Sequence, residues 1–516
     1  MNPIELGLFV NRLQAVCDEM GATLRRAAFS PNIKDRLDFS CAVFDAAGGL
    51  CAQAAHIPVH LGSMAYAMQD IVQAVDWAPG DMVVVNDPYL GGTHLPDVTL
   101  VAPLFVGQRL AGFCANRAHH ADIGCATPGS MPLSRRLDEE GLVLSPRHYL
   151  RSGILDADTA ACLEHGLRNP RATLGDFAAQ CSANRVGLSR LAAIVEGLGA
   201  ASYGDALAAL NDYAETLAVA ALRALPDGEY RHEDCMDDDG YASRDVPIRL
   251  ALTIADGRVT ADFGGTAAQV DGNINCPLAV TAAAVYYALY ALMPRTTPPC
   301  AGSLRVLDLR VPPGCLLNAR PPAAVAAGNV ETSQRIVDVV LGALARAAPE
   351  RVPAASQGTM NNVAMGGAGW DYYETIGGGC GAHARAAGCS AMHSHMTNTL
   401  NTPVEVLEAH YPVRVTRYAL RRASGGAGRH RGGDGILRAY EFLAPATVTV
   451  LSERRRHAPP GLAGGGAGQR GENRLNGAEQ PAKATLEVAA GDRLELATPG
   501  GGGWGAPAAP AAGPGD

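Results

Sequence analysis

Between Asp87 and Asp122 the chain places imidazoles and carboxylates at its bends, and no other stretch constrains the fold as much. It reads NDPYLGGTHLPDVTLVAPLF and then, after a short turn, GFCANRAHHADIG. The apolar residues of VTLVAPLFVGQRLAGFCAN predict a hairpin turning at Gly107-Gln108. His94 and Asp97 precede it; His119, His120 and Asp122 close it. Gly91 and Gly92 permit bends that other residues resist, and Pro96 fixes the link between His94 and Asp97. On a continuing strand, His120 and Asp122 share one face and His119 points the other way. Either His120 with Asp122, or His119 alone, would complete a site begun by His94 and Asp97; the shared face favours the former. Histidine and carboxylate without thiolate suit Zn, Mn or Fe. The same residues also suit hydrogen-bonded turns, since a His-x-x-Asp spacing arises easily by chance. Asp35, Asp38, His56 and His60 could add a ligand or support one, although each alone reads as structural.

A chain of 516 residues with 47% hydrophobic content is globular and long enough for two or three domains. The net charge of -9 and 5% aromatics leave no basic, aromatic surface for nucleic acid. The thirteen cysteines are scattered without a C-x-x-C pair, and the acid-bearing amphipathic N-terminus is no secretory signal. Reduced thiols in a cytoplasm are the expectation. No apolar run approaches the ~20 residues of a membrane helix, so no membrane role is expected.

Residues 3–27 predict an amphipathic helix, DFSCAVFDAAGGLCAQ two short strands, residues 61–75 a helix and residues 81–86 a buried strand. Residues 155–225 read as helical. VPIRLALTIADGRVTADFGG predicts a hairpin turning at Asp256-Gly257. Buried and amphipathic helices follow in VTAAAVYYALYALM and ETSQRIVDVVLGALARAA. AYEFLAPATVTVL is the clearest strand pair in the Gly-rich remainder. The predicted class is mixed α/β (α+β) and multi-layered. A metal-site α/β region (1–153) is followed by a helical insertion (154–230), a second α/β region (231–355), a β-rich Gly-loop region (356–505) and a disordered tail (506–516).

Other patterns read as structure as readily as chemistry. The run Gly377 to Gly381 could turn backbone N–H groups onto an anion, with His383 as a candidate catalytic group. His393 and His395 share a face if extended. Ser424 to Gly435 looks like a phosphate loop, yet no G-K-[ST] occurs in the chain. The acidic patch Asp234 to Asp239 lacks EF-hand spacing and reads as a solvated turn.

Ten segments in order resemble the hydantoinase B/oxoprolinase family. They are SPNIKDRLDFSCAVFD, HIPVHLGSM, NDPYLGGTHLPDVTLVAP, HHADIG, FGGTAAQVDGNINCPLAVT, GNVETSQRIVD, SHMTNTLNTPVEVLE, SGGAGRHRGGDG, ATVTVLSERRRHAPPGLAGG and TPGGGGWG. The resemblance implies the B subunit of an ATP-dependent enzyme that hydrolyses a cyclic amide such as hydantoin, 5-oxoproline or a lactam. It implies that ATP binds a partner A subunit of actin-like ATPase fold, in a hetero-oligomer, and that this chain carries Zn or Mn. The implied ligands are Asp38, His94, Asp97, His119, His120 and Asp122. Asp97 and Asp122 are the implied proton-handling or orienting groups, and water bound to the metal would attack an amide activated by the partner. Two alternatives stand beside this: an acetone-carboxylase-like alpha subunit, which the chain length disfavours, and a non-catalytic scaffold. Ala423 departs from the Asp that relatives often carry before Ser-Gly-Gly, which removes a polar role there.

Overall fold

Asn2 starts the first helix, α1 (Pro3–Ala27), through a capping box: its side chain accepts from the Ile4 and Glu5 amides, and Glu5 accepts from the Asn2 amide at 2.9 Å. Phe9, Leu13, Val16, Met20 and Leu24 line its buried face, as the periodicity predicts. The structure is a computed structural model and describes residues 1–54 and 56–507. The predicted disordered tail lies outside the described residues from position 508 onward.

After a single turn, α2 (Pro31–Lys34), come β1 (Phe39–Asp45) and β2 (Leu50–Gln53). Helix α3 (Pro58–Gln73) leads to β3 (Met82–Val85), β4 (Asp97–Val106), β5 (Arg109–His119), β6 (Arg147–Arg151) and β7 (Ile154–Leu155). The seven strands form one antiparallel sheet in the order β2-β1-β5-β4-β3-β6-β7. The helical stretch resolves into α4 (Ala157–Gly166), α5 (Pro170–Leu198) and α6 (Ala200–Arg223). Alternation along the central strands divides the core: Cys41, Val43, Cys114 and Ala118 pack with α1 and α5, while Ala42, Phe44, Phe113 and Ala115 pack with α3.

The second sheet runs β11-β10-β9-β8, built from β8 (Gly228–Asp238), β9 (Arg244–Ala255), β10 (Arg258–Asp262) and β11 (Leu307–Arg310). It shares a large core with α7 (Leu278–Tyr290) and α9 (Ser333–Ala347), between which lies the short α8 (Ala301–Leu304). A π-helical turn, Gly328–Thr332, precedes α9. Gly62 lets α3 lie directly on α7: a Cβ there would stand 2.6 Å from Ala283 Cα. The acidic patch is not a solvated turn. Asp237 and Asp239 are fully buried at the end of β8, where Asp237 accepts from the Arg455 and Arg456 amides at 2.6 and 2.9 Å. Asp239 accepts from the Tyr241 amide, and Asp234 pairs with Arg335 and Arg454.

The C-terminal part adds β12 (Asn362–Gly367), β13 (Trp370–Glu374), a short helix α10 (Val404–His410) that the apolar periodicity does not signal, and seven further strands. These are β14 (Val413–Arg421), β15 (Gly435–Phe442), β16 (Ala446–Leu451), β17 (Glu472–Leu475), β18 (Ala478–Gln480), β19 (Lys483–Val488) and β20 (Arg493–Ala497). They form two sheets, β13-β12-β16-β19 and β14-β15-β20-β17-β18. The expected pairing within residues 439–451 therefore fails. The Leu443 amide bonds to Pro412 and the chain crosses between sheets, so β15 and β16 never meet in the ladder.

Glycine-rich segments knit this region together by backbone contact. Gly379 donates to Pro499, Gly426 to Gly501, Gly433 to Cys380 and Gly503 to Gly466. A Cβ on Gly379 would overlap the Gly433 carbonyl, and one on Gly501 would overlap that of Cys380. Within the run proposed for anion binding, the amides of Gly378, Gly379, Cys380 and Gly381 are thus already bonded. Arg431 pairs with Asp434 at 2.8 Å, whose Oδ1 also accepts from Gly425.

Candidate metal centre

Register across the β4–β5 hairpin sets the site. Asp97 and His119 stand directly opposite each other, so their side chains share the face that α3 covers. His119 Nδ1 lies 3.2 Å from Asp97 Oδ1. His94 comes from the tight turn before β4, where the Asp97 amide bonds to the His94 carbonyl at 3.1 Å. Its Nε2 also lies 3.2 Å from Asp97 Oδ1, and its Nδ1 is held 3.2 Å from the Ala326 carbonyl. From α3, His60 Nε2 approaches Asp97 Oδ2 at 3.2 Å, with its Nδ1 3.3 Å from Ser40 Oγ. Thr93 and Asn329 donate to Asp97 Oδ2 at 2.6 and 3.1 Å. Asn329 sits on the π-helical turn, a distortion that often marks functional sites.

All these side chains are buried, and the electrostatics follow from that. Burial alone would raise the Asp97 carboxyl, but His60 and His94 outweigh it and hold Asp97 well below the usual carboxylate range. Burial alone would lower His94, but the Asp97 charge lifts it above its ordinary value. Burial prevails at His119, which is pushed down.

One donor atom each from His94, Asp97 and His119 fall within 4.8 Å of one another. His94 Nε2, Asp97 Oδ1 and His119 Nε2 have no hydrogen-bond partner among the described residues. Buried polar atoms are seldom left unpaired, so this donor set fits a divalent cation. A second trio, Cys235, Asp245 and His457, lies at an exposed edge where His457 and Asp245 already pair at 2.6 Å.

The other predicted residues fall elsewhere. β5 ends at His119, so the expected sharing of a strand face by His120 and Asp122 does not arise at this site. His120 turns toward α5: its Nε2 lies 3.1 Å from Gln180 Oε1, and its ring packs on Phe177. Asp122 accepts from the Gly124 and Asn169 amides at 2.9 and 2.6 Å, anchoring a turn and the start of α5. Asp38 lines the small cavity in front of Asp97, 4.0 Å from His60 and 3.6 Å from Arg36. His383 does not line that cavity; its Nδ1 accepts from the Arg385 amide in a local turn. Sequence reasoning missed Thr93, Asn329 and Tyr373, the last stacked on His119 with ring centroids 4.5 Å apart. For Asn329 the signal was present in GNVETS, a segment otherwise read only as a helix start.

A fold of stacked sheets with a buried His–Asp–His cluster at a hairpin end is matched by a known family. The Hydantoinase B/oxoprolinase family model covers residues 2–507, and this chain belongs to that family. It is 40% identical to 5-oxoprolinase 1 of Arabidopsis thaliana across 97% of this chain but only 42% of that protein, so it spans less than half the length of this relative. The putative D-/L-hydantoinase B-type chain of a Pseudomonas strain is 32% identical across 98% of this chain and 90% of its own. The crystal structure of an ATP-dependent caprolactamase from Pseudomonas jessenii superposes with a TM-score of 0.92 at 28% identity, covering 98% of this chain and 91% of that one. Among the described residues no helix is long and apolar enough to cross a membrane.

Proposed function

We propose that this chain is the ring-opening subunit of an ATP-dependent cyclic-amide hydrolase, with a divalent metal held by His94, Asp97 and His119. The observation that carries it is the set of buried, unpartnered ligand atoms on these residues. The relatives named for oxoprolinase, hydantoinase and caprolactamase activities support the reaction class.

An unstrained amide is a poor electrophile, and its nitrogen leaves badly. In this reading an A-type partner transfers the γ-phosphoryl of ATP to the amide oxygen, releasing ADP. Water then adds to the activated carbon, and the C–N bond breaks as the nitrogen takes a proton, leaving an amine and an acyl phosphate; a second water hydrolyses the acyl phosphate to carboxylate and phosphate. A divalent ion would supply Lewis acidity to lower the pKa of the attacking water. Asp97 is fixed through Oδ2, by Thr93, Asn329 and His60, which leaves Oδ1 facing His94 and His119. Asp38, beside the cavity and off the ligand trio, is positioned to take the proton of the attacking water. Asp122 and His383 have no such access.

Elemental analysis of the purified complex tests the assignment. His94→Ala and His119→Ala should each lower metal retention at least about a hundredfold and abolish ATP-dependent ring opening. His120→Ala should retain metal. Full metal content in both ligand variants would sink the reading.

A further inference from the structure

Three threonines share the small cavity with the metal residues. Thr375, Thr397 and Thr399, all buried, line the small cavity with Asp38, Asp97, His119, Asn329 and Tyr373. Behind them lies Arg36, fully buried, whose Nη2 donates to Thr375 Oγ1 at 3.1 Å. Thr375 Oγ1 and Thr399 Oγ1 are 2.8 Å apart, and Thr397 Oγ1 is 3.5 Å from Thr399 Oγ1. With a guanidinium at its oxygen, Thr375 directs its own hydrogen away, and Thr399 is the acceptor within reach. Thr399 then has a hydrogen free for a further acceptor, since Thr397 is at the limit of bonding distance. The chain Arg36–Thr375–Thr399 is thus polarised by a buried cation and ends in an O–H donor at the cavity.

We infer that Thr375 and Thr399, with Thr397 beside them, form the edge that selects the substrate ring by donating to an oxygen outside the scissile amide. The ligands this favours are cyclic amides with a second carbonyl or a carboxylate, over plain lactams. The inference rests on the function proposed above and adds the substrate class. The cavity of about 20 Å³ has room for roughly one water. A ring enters when the 394–399 segment withdraws, and it meets the threonine edge once the segment has returned and Thr399 again lies against Thr375. In that segment Ser394 Oγ and His395 Nε2 lack partners among the described residues, and His395 holds a left-handed φ of 56°.

The test measures equilibrium dialysis of hydantoin, 5-oxoproline and 2-pyrrolidinone against the metal-loaded complex, alongside kcat/KM for each ring. The wild-type complex should bind the two oxygen-bearing rings at least tenfold more tightly than 2-pyrrolidinone. Thr399→Val and Thr375→Val should cut that ratio about tenfold, and Thr399→Ser should preserve it. A wild-type ratio near one, an unchanged ratio in the valine variants, or an equal loss on all three rings would overturn the inference. Preferential binding without ATP-dependent turnover would leave this edge standing and sink the hydrolase reading; no binding of any ring would overturn both.

Discussion

Asp97 carries its charge with no exposed surface, while His60, His94 and His119 each bring a ring nitrogen to 3.2 Å from one of its oxygens. Asp97→Asn keeps the shape and removes the charge that draws these rings together. Metal retention should fall at least about a hundredfold while circular dichroism remains native. Glu331, on the π-helical turn, has a different balance. Burial and the neighbouring Glu453 push its carboxyl up to about 8, against the pull of Lys483. Between its ordinary value of 4.5 and about 8, the folded chain keeps a proton that the unfolded chain releases. Its contribution to stability is complete below that window and is lost as pH rises through it, at no more than about 1.4 kcal/mol per pH unit. Glu331→Gln imitates the protonated form, so the urea midpoint should decline less steeply over this range than in the wild type.

At Gly62, helix–helix contact depends on a missing side chain. Gly62→Ala would push a Cβ against Ala283 Cα and should cost about 1–3 kcal/mol by overpacking. At Gly187→Ala the nearest atoms are those of the flexible Met20 side chain and the Cys114 sulfur rather than backbone, so its denaturation midpoint should fall less. The 394–399 segment should exchange amide hydrogens faster than β12 and β13 and slow when a ring ligand is added; equal protection in both states would argue against its withdrawal. Elements with a single strong period were legible in the sequence: α1, α7, α9 and the β4–β5 and β9–β10 hairpins lie where their apolar spacing predicts. Pairing partners were not legible. Alternation correctly separates the directions of His119 and His120, but which of them meets Asp97 depends on register across the hairpin, which periodicity does not fix. The crossing between β15 and β16 and the burial of Asp237 depend on residues more than two hundred positions away or on other sheets. Thr375 and Thr399 carried no signal, because their meaning comes from Arg36, far back in the chain.

Across the molecule, a buried ionic network joins the C-terminal strands to β8 and α9. Lys483, one of only two lysines, reaches Glu453 at 2.5 Å; Arg335 contacts Glu453, Asp338 and Asp234; Arg454 contacts Asp338 and Asp234. Lys483→Met would leave Glu453 buried with one cation fewer and should destabilise the protein by roughly 3–5 kcal/mol, read as a lower urea midpoint. The network spans sheets from distant parts of the sequence, so that loss should appear as a shift of the whole unfolding transition. The glycine contacts of the C-terminal part also bear on the order of events during synthesis. Gly379, Ala382, Gly426 and His430 all donate to carbonyls between residues 499 and 504. Until residues 499–504 have been made, the loops that precede them wait with bare amides, so this region locks only after that stretch has joined it.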